Sequence, residues 1–312
     1  MSQLNPLTSQ VIPPPIWKER TRAYRQFSSR NNNFDYLIYF QNIDTSIDYI
    51  VIFVNDKWDI PRIFSQYLHL YKMYGNVSKF LLLKYEIAVR KITKTYARGF
   101  SIYIHHPDTF IINTIHNILN SNNIKYNITR IEYTIDVYTS YLKELFSDTK
   151  ISAIIKRQSN KNLITKKYRT TFYLANPRKD RNKAGRVYIK NINGCDVVRI
   201  EAILKNEFIK RKYGRIGMPI MAGKTAEDIF SIFQFRKFDL TRFFSNQSKL
   251  MQDNLKTLQS IYHKIISPIY EEGFHTVNEN LSSYKLKNKN NYFSLHPLHH
   301  AFFNAIKGRH FI

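Results

Sequence analysis

Hydrophobic and polar residues alternate in two short segments of the chain, residues 186–190 and residues 197–204. Alternation with a period of two is typical of a half-buried β-strand. Asn193 and Gly194 lie between the segments and favour a tight hairpin, because a type I′ turn needs positive φ angles at both central positions. A two-residue turn there fixes the register and pairs Tyr188 with Arg199, Arg186 with Glu201 and Lys190 with Val197.

The two faces of this predicted hairpin differ in chemistry, since successive side chains of a strand point to opposite faces. One face carries apolar side chains, and we expect it to join a hydrophobic core. The other face holds a phenol among three cations and a carboxylate: Arg186, Tyr188, Lys190, Arg199 and Glu201. This combination indicates a surface that handles phosphate.

Hydrophobic periodicity predicts further elements on both sides of the hairpin. Strands are predicted in the apolar runs at residues 36–40 and 49–54 and at residues 79–89, 99–104 and 128–138. Helices are predicted at residues 61–74, 108–120, 140–156, 228–272 and 297–307. Asp108 and Thr225 are placed to cap two of these helices, and Gly308 is placed to end the last one.

Strands come first along the chain and helices follow, which predicts an α+β fold. We expect an antiparallel sheet with flanking helices, followed by a mostly helical C-terminal region. The predicted domains are a flexible basic N-terminal arm at residues 1–30, an α+β domain at residues 31–213 and the helical region at residues 214–312.

The composition adds a strong positive charge to this picture. The 312 residues include 48 Lys and Arg against 23 Asp and Glu, a formal net charge of +25. Self-repulsion of this size works against the compact state and therefore indicates a polyanionic partner. Nucleic acid is the leading candidate for this partner. An anionic membrane surface is the second, and a structural RNA-binding role stays open.

The single cysteine, Cys195, excludes an intramolecular disulfide framework and a cysteine-based zinc finger. It predicts a reducing compartment. The sequence has neither an uncharged run of about 18 apolar residues nor the layout of a signal peptide. We therefore expect a soluble, cytoplasmic protein without a membrane partner.

Three carboxylates lie on polar strand faces: Glu132 and Asp136 in the predicted strand 128–138, and Glu201 in the hairpin. Oxygen ligands at alternating strand positions suit Mg²⁺ or Mn²⁺. Ordinary cross-strand ion pairs, for instance between Glu201 and Arg186, explain the same spacing more simply. Both interpretations stay open on the residues alone.

Three other candidate motifs give weaker evidence for a functional site. His105 and His106 end the predicted strand 99–104 and are candidate metal ligands, yet such pairs are more often structural. His296 and His300 have the spacing of a zinc-binding pair but lack a neighbouring third ligand. Residues 222–225 suggest a phosphate-binding loop, but the upstream glycine that this motif requires is absent.

Basic residues are dense before and within the hairpin, which predicts salt-sensitive contacts with backbone phosphates. A solvated face of a generally basic protein is the alternative interpretation. Tyr168, Phe172 and Tyr173 interleave with these cations and suit either base stacking or a core. The residues predicted to bind nucleic acid are Arg130, Lys166, Lys167, Arg169, Arg178, Lys179, Arg181, Lys183 and Arg186.

Tyr188 is the remaining candidate nucleophile. Arg199 faces it across the predicted hairpin, and Arg186 and Lys190 flank it on the same face. A phenol with a pKa of about 10 is a weak nucleophile at neutral pH. Nearby cations lower that pKa, and a metal ion polarises the phosphate that the phenol attacks.

Four short motifs follow one another along the chain: Arg-Ile-Glu-Tyr-Thr-Ile-Asp (130–136), Thr-Phe-Tyr-Leu (171–174), Arg-Val-Tyr-Ile-Lys (186–190) and Val-Arg-Ile-Glu (198–201). Their order resembles the plasmid rolling-circle replication initiators of the Rep_trans family. The resemblance covers residues 125–205. This chain departs from the family pattern at Leu174, where a glycine is common, and at Glu132, where an aspartate is common.

The resemblance implies that Tyr188 cuts one DNA strand at a replication origin and stays attached through a 5′-phosphotyrosine. It implies phosphate contacts for Lys190 and Arg199, and a Mg²⁺ or Mn²⁺ neighbourhood for the three carboxylates: Glu132, Asp136 and Glu201.

The expected partners are origin DNA, single-stranded or supercoiled, a host helicase and a second copy of the chain. The helical region would bind the origin or hold the dimer together. Two alternatives stay open: a non-catalytic nucleic-acid-binding protein, and a metal-dependent nuclease that uses water and forms no covalent link.

Overall fold

A computed structural model describes residues 35–94, 97–155, 167–168, 171–174, 182–238 and 293–311 of the protein. It begins with a short 3₁₀ helix, Tyr36–Phe40. Thirteen strands follow within these ranges: β1 (Asn42–Asn55), β2 (His69–Tyr74), β3 (Val77–Leu82), β4 (Tyr85–Lys94), β5 (Ala97–His105), β6 (Asn127–Tyr138), β7 (Ala153–Ile155), β8 (Lys167–Tyr168), β9 (Thr171–Tyr173), β10 (Lys183–Ile192), β11 (Cys195–Lys205), β12 (Phe233–Phe238) and β13 (Phe293–Leu295).

Seven α-helices lie within the same ranges. They are α1 (Ile60–Ser65), α2 (Thr109–Ser121), α3 (Leu142–Ser152), α4 (Asn206–Tyr213), α5 (Met218–Ala222), α6 (Ala226–Phe230) and α7 (Pro297–Ala305). Asp108 and Thr225 cap α2 and α6 through their side chains, as the sequence predicts.

Ten strands form one large sheet in the order β2-β3-β4-β5-β1-β6-β11-β10-β9-β8, and every neighbouring pair is antiparallel. A second sheet has the order β13-β12-β7. This arrangement of a large antiparallel sheet with helices confirms the predicted α+β class. Among the described residues, no helix is long and apolar enough to cross a membrane.

The two faces of the large sheet have different roles. On one face, β-branched side chains of the central strands are fully buried, and each described helix adds buried side chains to the same core. Burying one such aliphatic side chain contributes about 1.5–3 kcal/mol, so this face supplies most of the driving force for folding. The opposite face, called here the polar face, carries Tyr188, Arg199 and their neighbours.

The predicted hairpin is confirmed residue by residue. Strands β10 and β11 pair Tyr188 with Arg199 and Arg186 with Glu201, as a two-residue turn requires. The φ angles of Asn193 and Gly194 are 50° and 87°, the positive values that a type I′ turn needs.

Three of the predicted elements before residue 90 are wrong. Residues 36–40 form the 3₁₀ helix instead of a strand, because Tyr36, Tyr39 and Phe40 are buried with a spacing of three to four. The helix predicted at 61–74 ends at Ser65, and β2 follows as an edge strand paired with β3. The strand predicted at 79–89 is two strands, β3 and β4, joined by a turn at which Leu83 has a φ angle of 54°.

The region after residue 213 is not uniformly helical in its described part. Residues 233–238 form β12, where helical spacing was predicted. Phe233 and Phe235 are fully buried, because alternate residues of this strand face the core. Helix α7 forms as predicted and packs against the 3₁₀ helix and β12. The rest of the predicted helix 228–272 lies outside the described residues.

Candidate active site

The candidate site lies where β6, β11 and β10 run side by side on the polar face. Asp136 of β6 pairs in register with Arg199 of β11, which pairs with Tyr188 of β10. Two residues further along β11, Glu201 pairs with Thr134 of β6 on one side and with Arg186 of β10 on the other. Adjacent antiparallel strands therefore bring together side chains that are distant along the chain.

The hydroxyl of Tyr188 donates a hydrogen bond to Oε1 of Glu201, with 2.5 Å between the two oxygens. Arg186 binds the other oxygen of the same carboxylate. The Glu201 side chain is completely buried, whereas that of Arg186 is 24% exposed. Glu201 is thus enclosed between a phenol and a guanidinium.

Burial and the neighbouring Glu201 carboxylate raise the pKa of Tyr188 well above its ordinary value, against the opposing charges of Arg199 and Arg186. Tyr188 is therefore a neutral phenol in the resting protein. The nearby cations do act to lower its pKa, as expected, but burial and Glu201 outweigh them. Burial also raises the pKa of Glu201, and the charge of Arg186 opposes this shift.

Glu132 lies between two arginines. Its Oε1 pairs with Arg130, and its Oε2 accepts a hydrogen bond from Nη2 of Arg186 at 2.8 Å. The Glu132 side chain is only 4% exposed. Arg186 therefore bridges Glu132 and Glu201, and the ion pair between Glu201 and Arg186 that the sequence suggested as a simple interpretation is present.

Arg199 binds a second pair of carboxylates. Its Nε and Nη2 donate to the two oxygens of Asp136 at 2.6 and 2.5 Å, and its Nη1 lies 3.3 Å from Oδ1 of Asp48. Burial opposes the charge of Arg199, but the hydrogen bonds and charge of Asp136 hold the pKa of its guanidinium above the ordinary value. This two-point contact fixes the guanidinium plane beside Tyr188.

Asp48 is a site residue that the sequence analysis missed. A β-bulge in β1 between Ile47 and Tyr49 leaves Asp48 without a partner in β6 and places its carboxylate beside Arg199. In the structure, the buried positions change phase from Ile43 and Ile47 to Ile50 at this bulge, but the sequence hides the change because residues 49–54 are all apolar.

The three candidate metal ligands are all engaged in ion pairs in this arrangement. Glu132, Asp136 and Glu201 each pair with an arginine, and the second oxygen of Glu201 accepts the hydrogen bond from Tyr188. Among the described residues, no group of three His, Cys, Asp or Glu side chains is arranged to hold a metal ion. His106 pairs with Asp48 at 3.1 Å, and His105 contacts the ring of Tyr49.

The predicted phosphate contacts occupy different places. Lys190 shares the polar face with Tyr188 and is half-buried, as is Arg130. Lys183 alternates to the opposite face of β10, and its Nζ lies 5.2 Å from the ring centroid of Phe208. The backbone of Lys167 lies in β8. The other predicted contacts lie outside the described residues: Lys166, Arg169, Arg178, Lys179 and Arg181.

Of the aromatic residues that interleave with the basic stretch, Phe172 is buried in the core. Tyr173 lies half-buried beside Arg186, on the neighbouring strand of the polar face.

Searches with known proteins add no assignment. No protein-family model matches this chain, and no curated protein matches it.

Proposed function

We propose that the protein is a rolling-circle replication initiator that nicks and rejoins one DNA strand through Tyr188. The observation that carries this proposal is the hydrogen bond from the Tyr188 hydroxyl to the buried carboxylate of Glu201, whose other oxygen is held by an ion pair with Arg186. A tyrosine with a bound proton acceptor is the arrangement that nucleophilic catalysis by a phenol requires. The motif order that resembles the Rep_trans family supports the same assignment.

In the proposed reaction, the phenolic oxygen of Tyr188 attacks a DNA phosphorus and Glu201 accepts the phenolic proton. A bond forms between the tyrosine oxygen and phosphorus, and the bond from phosphorus to the 3′ oxygen breaks. The proton passes on to this 3′ oxygen, which leaves as a hydroxyl. The 5′ end stays attached to Tyr188, and the reverse reaction with a 3′ hydroxyl rejoins the strand.

The raised pKa of Tyr188 gives Glu201 a defined task. A free phenolate is scarce at neutral pH, so the proton has to be removed as the bond to phosphorus forms. Lys190 lies two residues from Tyr188 on the same face, where its ammonium group can contact the phosphate.

The resemblance to the Rep_trans family also implies a requirement for Mg²⁺ or Mn²⁺. The three carboxylates, as they are paired in this structure, do not fit a bound metal ion. A cation at Glu132 or Glu201 would have to displace Arg186, and a cation at Asp136 would have to displace Arg199. We assign no step to a metal ion.

A second candidate function is non-catalytic nucleic-acid binding. The ion pairs of the three carboxylates favour it, because a purely structural frame would have the same pairs. One experiment separates the two functions. Supercoiled plasmid carrying the origin is incubated with the protein, with and without Mg²⁺ or Mn²⁺, and the 5′ ends are examined for covalently bound protein. Nicked circles with protein on the 5′ end support the initiator, nicking without attachment indicates a water-dependent nuclease, and intact plasmid indicates a binding protein.

The pH dependence of nicking follows from the raised pKa of Glu201. Because Glu201 has to be ionised to accept the proton, activity should rise with pH, with a midpoint above the ordinary glutamate pKa of about 4.3. The charge of Glu132 contributes to the raised pKa, so Glu132→Gln should move the midpoint to lower pH.

The matched control for this pH profile is Glu86→Gln, since Glu86 pairs with Lys79 near the edge of the sheet. This change should leave the midpoint in place. A midpoint that does not move in Glu132→Gln would contradict the assignment of Glu201 as the proton acceptor.

The basic stretch should bind backbone phosphate and carry no sequence preference. Neutralising Arg178, Lys179 and Arg181 together should weaken binding to origin DNA and to random duplex DNA about equally. It should also make the slope of log affinity against log salt shallower by roughly 0.9 per lost contact. Lys212→Gln is the control, because Lys212 pairs with Asp228 at 2.6 Å.

Changes in the region after residue 213 should instead reduce the preference for the origin. Loss of origin preference from the basic-stretch variant, with an unchanged salt slope, would reverse this division of roles.

A further inference from the structure

The polar face carries a group of aromatic side chains that the proposed nicking step does not use. Tyr49 lies on β1, and Tyr103 and His105 lie on β5. The ring centroids of Tyr49 and His105 are 4.6 Å apart, and those of Tyr49 and Tyr103 are 6.1 Å apart. Both tyrosines are half-buried and His105 is exposed, so the three rings share a surface that reaches solvent.

Arg130 connects this aromatic group to the candidate active site. Its guanidinium lies 5.8 Å from the ring centroid of Tyr49 and pairs with Glu132, which also binds Arg186. In the sheet, β1 is three strands from β10, which corresponds to about 14 Å across the sheet at about 4.8 Å per strand. A few nucleotides of single-stranded DNA bridge such a distance between Tyr188 and the aromatic rings.

We propose that Tyr49, Tyr103 and His105 form a stacking platform for unpaired bases of the DNA strand that Tyr188 cuts. This proposal rests on DNA as the substrate in the proposed function. Aromatic side chains bind single strands because every base presents a π-face, whereas the bases of a duplex are stacked on each other. Cations beside the rings, Arg130 and the exposed Arg90, complement the phosphates of such a strand.

The test measures binding without cleavage, in protein that carries Tyr188→Phe. The probes are a short oligonucleotide containing 2-aminopurine, the same oligonucleotide as a duplex, and one with abasic sites. Tyr103→Leu removes a ring and keeps an apolar side chain. It should weaken single-strand binding about 5- to 150-fold, the range that loss of one stacked base gives. It should also restore 2-aminopurine fluorescence and leave duplex and abasic binding nearly unchanged.

Two variants serve as matched controls. Tyr103→Phe keeps the ring and should bind the single strand like the parent. Phe110→Leu removes a ring that is 50% exposed on helix α2, away from the polar face, and should leave single-strand, duplex and abasic binding unchanged. Equal single-strand affinity in Tyr103→Leu and the parent would overturn the platform. So would an equal loss for single strand and duplex, or a change of oligomeric state without a change in DNA binding.

The experiments test the stacking platform and the nicking activity separately. Absence of nicking by the unmodified chain, together with stacking that depends on Tyr103, overturns only the initiator function. Normal nicking by a chain in which Tyr103→Leu leaves single-strand binding intact overturns only the platform.

Discussion

Tyr188→Phe should abolish nicking and covalent attachment to DNA while leaving the fold and DNA affinity nearly intact. The change removes a single oxygen atom, which is the nucleophile of the proposed cleavage step. The lost hydrogen bond to Glu201 costs about 1 kcal/mol, or up to about 3 kcal/mol because the acceptor is charged. The assay follows nicked circles and protein-linked 5′ ends, with thermal unfolding and DNA binding measured on the same preparation.

Tyr138→Phe is the matched control for this variant. Tyr138 lies on β6, two residues from Asp136 on the same face, and burial and the nearby Asp44 raise its pKa. It does not contact Glu201 in the described residues, so its change should leave nicking unaffected. Full nicking by Tyr188→Phe would eliminate Tyr188 as the nucleophile and favour a nuclease that activates water.

Arg199→Met should lower the free energy of unfolding by about 3–5 kcal/mol, the cost of leaving a buried ion pair without one partner. Methionine fills a similar apolar volume, but it leaves the Asp136 carboxylate without the guanidinium that binds both its oxygens. The Asp136 side chain is 7% exposed, so water compensates only slightly. Urea unfolding measures the effect.

The exposed ion pair of Lys212 and Asp228 is the comparison for this change in the free energy of unfolding. Both side chains are about one-third exposed, so Lys212→Met should cost less than about 1 kcal/mol. In the double variant Arg199→Met with Asp136→Asn, the unpaired charge is absent, and we expect stability to recover in part. An Arg199→Met protein as stable as the parent would show that the ion pairs on the polar face do not hold the sheet together.

Secondary structure was predictable where one local rule decides it. The hairpin follows from Asn193 and Gly194, whose positive φ angles the turn requires. Helix α2 follows from a cap at Asp108 and a regular apolar stripe. Residues 69–74 were not predictable in this way, because β2 has no buried face of its own and exists through hydrogen bonds to β3.

The same distinction between local patterns and tertiary structure applies to the candidate site. The register of β10 and β11 places Tyr188 beside Arg199 and Glu201 without any knowledge of the fold, because period-two alternation and a two-residue turn leave one solution. The choice of Glu201 as the acceptor for the Tyr188 hydroxyl depends on side-chain geometry that the register leaves open.

The sequence by itself determined the α+β class, the hairpin and the grouping of a tyrosine with arginines and a glutamate on one strand face. Only the tertiary structure decided that β6 lies beside this hairpin with β1 next to it, and that Glu132 and Asp136 pair with arginines. It also brought Asp48 to Arg199 and buried Tyr188, so that its pKa is raised despite the neighbouring cations. The physical reason is that local patterns fix hydrogen bonds between neighbours in sequence, whereas burial and charge pairing depend on strands that are distant along the chain.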